Sequence, residues 1–154
     1  SRISSWKGHD LLINYYLQLP KKYKENFMLL FISSHTSKEE IKIDNIVKKN
    51  DLMNKIKFIK PTLDIKKIYE TSFLVINMSI RPEGFGRTVS ESLSMSCPVI
   101  APNMGGTREQ LNSFNSRLLF DINSFRSFFK ALEYAINNHK EISSNARNYV
   151  VKNY

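Results

Sequence analysis

Apolar side chains recur at helical spacing early in the chain, at Leu11, Leu12, Tyr15, Tyr16 and Leu19, and stop at Pro20, which predicts a helix over residues 8–19. Lys21, Lys22, Tyr23 and Lys24 follow the proline and read as a solvated basic turn. Residues 27–32 are continuously apolar, as a short buried strand would be. Ser37 followed by Glu40 has the spacing of a capping box, and Ile43, Ile46 and Val47 carry an apolar face from it to the turn signal Asn50-Asp51. A strand over 55–59 is halted by Pro61, and Ile65, Ile68 and Tyr69 mark a brief helix before a strand over 73–77. Residues 81–86 are loop. Val89, Ser92, Leu93 and Ser96 then share a helix face, residues 98–101 form a short buried strand, and Gly105-Gly106 breaks the pattern again. Phe125, Phe128, Phe129, Leu132 and Ile136 make the clearest amphipathic helix, and a basic helix over 142–152 ends the chain.

Strands alternating with helices at this spacing predict an α/β fold, an open parallel sheet with helices on both faces. Ligands of such sheets sit beyond the carboxyl ends of the strands, where loops run into helix N-termini. The loop 77–88, after the most apolar strand, is therefore the place to look. Length and composition agree: 154 residues, 42% hydrophobic and 24% charged, suit a single domain over 1–154. A net charge of +9 favours anionic partners without choosing among nucleic acid, an acidic membrane surface and phosphorylated small molecules. The lone Cys97 excludes an intramolecular disulfide framework, and no apolar run approaches the roughly 20 residues of a membrane span.

The loop reads Ser79-Ile80-Arg81-Pro82-Glu83-Gly84-Phe85-Gly86-Arg87-Thr88-Val89-Ser90-Glu91. Glycines on either side of Phe85 allow close backbone approach, and a helix starting at Arg87-Thr88 presents unpaired N–H groups suited to phosphate. A diphosphate repels carboxylates, so Glu83 and Glu91 are better employed as acceptors for sugar hydroxyls on either side of it. Taken alone, Gly-Phe-Gly reads more readily as a tight turn between solvated carboxylates.

More of the pattern is present. The segment 81–106 resembles the donor-binding half of glycosyltransferase family four, the glycosyl transferases group one. Members carry two glutamates around a Gly-Phe-Gly, a helix rich in Ala, Met and Ser, then Pro-Val-Ile-Ala, Gly-Gly and Glu. Here these are Glu83, Gly84-Phe85-Gly86, Glu91, Ser92-Leu93-Ser94-Met95, Pro98-Val99-Ile100-Ala101, Gly105-Gly106 and Glu109. A second family signature, Gly-Arg followed by Lys-Gly, is matched by Arg2 and Lys7-Gly8, and Tyr69 also stands where members have a Tyr. The resemblance implies a Rossmann-like fold like the C-terminal half of a GT-B glycosyltransferase, and retaining transfer of a hexose-type unit from a nucleotide-diphosphate sugar without metal or other cofactor. It implies that Arg2 and Lys7 hold the diphosphate, that Glu83 binds the transferred sugar, and that Glu91 binds the ribose. Backbone N–H groups from Gly84 through Phe85, Gly86 and Arg87 to Thr88 would meet sugar and phosphates. Lys60-Pro61-Thr62 would end near the nucleobase.

Two departures stand out. Members have Gly where Ser1 and Ser96 stand, and again near Arg117; Ser96 should end its helix with poorer geometry than Gly. Members also have a preceding domain that binds the acceptor, and a strand before the Gly-Arg motif. The expectation is a donor-binding piece of a longer two-domain chain, acting on a carbohydrate or lipid-linked acceptor in surface polysaccharide or lipopolysaccharide synthesis. Its expected location is cytoplasmic or peripheral at the inner membrane face, with no nucleic-acid partner. Two rivals remain: a noncatalytic basic module for nucleic acid or anionic membrane, and half of a sugar-nucleotide epimerase. His9, His35 and His139 lack metal spacing and read as solvated or capping side chains, Cys97 as a buried thiol rather than a nucleophile, and Trp6 as either a base-stacking or a packing residue.

Overall fold

The computed structural model describes residues 3–33 and 37–154. Their contacts group into two compact units, Ser1–Leu63 and Asp64–Tyr154. In the first, α1 (His9–Gln18) buries Leu12, Tyr15 and Tyr16 of the face read from the sequence, with Ile13 in addition, while Leu11 is only half-buried. The Tyr16 hydroxyl donates to the Phe27 carbonyl at 3.2 Å. The expected basic turn after Pro20 is a short helix instead, α2 (Lys21–Asn26), because Pro20 suits a helix start and helical winding leaves Tyr23 buried while Lys21 and Lys22 stay exposed. Strand β1 (Leu29–Ile32) pairs in parallel with β2 (Ile56–Ile59). It is less buried than its apolar run predicts: Phe31 is buried, while Met28 and Leu30 are exposed. Between the strands runs α3 (Lys38–Lys49), opened by the predicted capping box in which Glu40 N–H donates to Ser37 and Ser37 N–H to Glu40. His9 is buried with its edge to Phe31 at 5.2 Å rather than solvated.

The second unit opens with α4 (Ile65–Thr71) and continues through β3 (Val75–Ile76), α5 (Arg87–Ser94), β4 (Val99–Pro102) and α6 (Gly105–Asn115). A 3₁₀ turn over Ser116–Leu118 leads to β5 (Leu119–Phe120), followed by α7 (Phe125–Asn137) and α8 (His139–Asn153). The strands lie parallel in the order β3-β4-β5. The whole of β4 is buried, with α5, α6 and α7 packed against it. α6 was not anticipated: Gly105-Gly106 begins a helix instead of breaking the chain. Beyond α5, Ser96 adopts φ 57°, the left-handed conformation for which the family's Gly is suited. Cys97 is buried, its thiol donating to the Ser72 carbonyl at 3.2 Å, and burial pushes its pKa up. His139 stacks on Phe73 with ring centroids 4.0 Å apart. His35 lies outside the described residues. Among those residues, no helix is long and apolar enough to cross a membrane.

Candidate functional site

The loop between β3 and α5 is held by its backbone against the start of α6. Gly106 N–H donates to the Glu83 carbonyl at 2.8 Å. A Cβ on Gly105 would lie 2.6 Å from the Glu83 carbonyl oxygen, and one on Gly106 2.6 Å from that of Gly84, so only glycine permits this approach. Gly84 differs, since a Cβ there would meet nothing within 4 Å. Gly86 precedes α5 with φ 76°, beyond the comfortable range of a side-chain-bearing residue. Gln110, buried on α6, donates through its side-chain amide to the Phe85 carbonyl, with the Gly86 carbonyl 3.4 Å away. The exposed Phe85 ring meets Tyr154 edge to face at 5.4 Å.

This anchoring leaves the backbone N–H groups of Gly84, Phe85, Gly86, Arg87 and Thr88 without partners among the described residues. Five donors in sequence, three before and two in the first turn of α5, favour an anion. Two oriented carboxylates lie in the same unit. Glu83 is half-buried and accepts from the Ser79 hydroxyl, with the Asn77 amide 3.5 Å from the same oxygen. Ser79 is in turn fixed by its own N–H, which donates to Asn77 Oδ1 at 2.9 Å. Glu91 accepts from the Tyr69 hydroxyl at 2.9 Å on Oε2 and meets Arg87 at 3.2 Å on Oε1. Burial, helped by that hydrogen bond, pushes the Tyr69 pKa up, so its hydroxyl remains a donor at any working pH.

The structure thus brings Glu83, Gly84, Phe85, Gly86, Arg87, Thr88 and Glu91 into one loop-and-helix assembly, as their sequence spacing requires. Lys7 lies in the other unit, in the turn before α1, half-buried with its ammonium 4.1 Å over the Trp6 ring. Arg2 lies outside the described residues. Sequence reasoning missed the bracing side chains Asn77, Ser79 and Gln110, which carry no signal of their own. Among the described residues, no group of three His, Cys, Asp or Glu side chains converges as a metal site.

The glycosyl transferases group 1 family matches the chain over residues 1–153. An O-antigen biosynthesis glycosyltransferase of Escherichia coli, WclY, is 29% identical over 143 residues, 93% of this chain and 38% of its own length. A glycosyltransferase of Rickettsia africae superposes with a TM-score of 0.86 at 29% identity, over 100% of this chain and 42% of its own. The Anabaena protein HepE in complex with UDP and glucose superposes with a TM-score of 0.81 at 25% identity, over 99% of this chain and 42% of its own. This chain therefore spans about two fifths of the length of each of these three proteins.

Proposed function

Because the chain belongs to the glycosyl transferases group 1 family, with the α/β fold of its GT-B enzymes, we propose that it binds a nucleotide-diphosphate sugar and forms the donor side of a retaining glycosyltransferase. The observation that carries this reading is the run of unpartnered N–H groups from Gly84 to Thr88, in one loop-and-helix segment with two carboxylates already oriented by neutral hydroxyl donors. The N–H groups take the phosphates and the near edge of the sugar, Glu83 accepts hydroxyls of a hexose-type unit, and Glu91 accepts those of the ribose. Lys7 and Arg2 add positive charge to the diphosphate, stabilising it as the leaving group when the sugar–phosphate bond breaks. No metal enters this reading. The acceptor, a carbohydrate or lipid-linked sugar, is met by a preceding domain of a longer chain. The UDP and glucose bound by the Anabaena protein support the choice of donor, and the O-antigen role of the Escherichia coli relative supports surface polysaccharide or lipopolysaccharide synthesis.

Thermal unfolding with UDP, GDP and ADP tests the reading. A ligand at a hundred times its Kd stabilises the folded state by about 2.7 kcal/mol, which raises the melting temperature of a chain this size by several degrees. One of the three is expected to do so at physiological salt, and a single-stranded oligonucleotide is not expected to compete. Tight oligonucleotide binding with no shift from any nucleoside diphosphate would leave a basic nucleic-acid module in its place.

A further inference from the structure

The peptide joining Phe85 to Gly86 is secured through one side chain. Glu83 at one end is tied to α6 by main-chain hydrogen bonding, and α5 at the other end is a regular helix. Between them, the Phe85 carbonyl is held by the side chain of Gln110. Rotating this peptide changes φ of Gly86, and glycine accepts either sign of φ at little cost. A trans peptide points its N–H opposite to its carbonyl, and the chain contains no cis bond among the described residues. With the carbonyl turned into α6 toward Gln110, the Gly86 N–H points away from α6. A flipped peptide would bury that N–H and present a carbonyl oxygen, which repels phosphate.

Gln110 does this at a cost to the core. It is 2% exposed, and its Oε1 has no hydrogen-bond partner among the described residues. A buried acceptor left bare is unfavourable, so an apolar side chain of the same length would suit the position better for packing alone. We propose that Gln110 is a positioning residue for donor binding, its amide locking the Phe85–Gly86 peptide so that the Gly86 N–H faces the donor's diphosphate. This inference rests on the donor-binding reading above.

The test uses the 154-residue chain with Gln110→Met, which keeps length but removes both amide atoms, and Gln110→Asn, which keeps the amide one methylene short of the carbonyl. Titration calorimetry with UDP and with uridine separates diphosphate contacts from the rest, and melting temperature reports the fold. Loss of one hydrogen bond to a charged group weakens binding about tenfold or more, so both variants are expected to lose that much for UDP and less than about twofold for uridine. The Met variant is expected to melt at or above the parent temperature. UDP affinity within about twofold of the parent, or equal losses for UDP and uridine, would overturn the assignment. If the Met variant does not fold, the Asn variant decides by the same comparison. A parent chain that binds none of UDP, GDP and ADP overturns the donor reading itself, and with it this inference.

Discussion

At Glu91 the two carboxylate oxygens face unlike partners: Tyr69 donates to one from a half-buried position, while Arg87 meets the other at the surface. Exposed ion pairs of this kind contribute only about 0.3–0.5 kcal/mol, so the Arg87 side leaves readily and the Tyr69 side sets the orientation. Glu83 and Glu91 were legible in the sequence because they belong to a fixed spacing around Gly-Phe-Gly. Asn77, Ser79 and Gln110 were not, because an Asn, a Ser or a Gln becomes a brace only once folding brings its partner alongside. His9 was misread for a related reason: nothing local reveals that Phe31 will cover it. Burial, with a smaller contribution from Lys7, pulls its pKa down from 6.5 to about 4. Between those values the unfolded chain holds the extra proton, so stability is fully present above pH 6.5 and is lost as pH falls toward 4. Urea unfolding of the parent is expected to show about 2 kcal/mol less stability at pH 5 than at pH 7.5 from this group, and His9→Phe to lose that component.

Among the elements, α6 was the chief surprise, because two consecutive glycines oppose helix formation by about 1 kcal/mol each relative to Ala. Packing overrides propensity here: the glycines open the helix where the Glu83–Phe85 backbone would come within 2.4–3.1 Å of an added Cβ. Gly106→Ala is expected to cost about 1–3 kcal/mol and to weaken UDP binding, because the new methyl group must displace the loop backbone. Gly84→Ala, with open space around it, is expected to change stability by less than about 1 kcal/mol. Paired melting curves and UDP titrations check both. α7 was legible because Phe125, Phe128, Phe129, Leu132 and Ile136 recur at helical spacing, and of these Phe128 and Leu132 are buried, together with Ala131 and Ala135. The two residues of β5 were missed, since a strand that short has no period to read.

For the molecule as a whole, alternating strand and helix patterns announced parallel pairing, because a helical crossover between neighbouring strands returns the chain in the same direction. Register and grouping were beyond them. Periodicity marks which face of an element is apolar, but the β1-β2 and β3-β4-β5 ladders depend on which partner each strand meets. The net charge of +9 was likewise visible and undecided, because a sum of charges has no location.

Cys97 gives the second unit a clock. The chain's only thiol is sealed at 3% exposure, with burial disfavouring its reactive thiolate, so a thiol reagent registers it chiefly when the surrounding core opens. Provided that reclosing outruns the reagent, the labelling rate counts those openings. A ligand bound only to the closed form is expected to slow labelling by the factor 1 + [L]/Kd, so the decay of free thiol over a nucleotide titration yields an affinity without any assay of sugar transfer. Labelling that ignores a nucleotide known to bind would mean that Cys97 is reached through a local fluctuation leaving the Gly84–Thr88 loop intact.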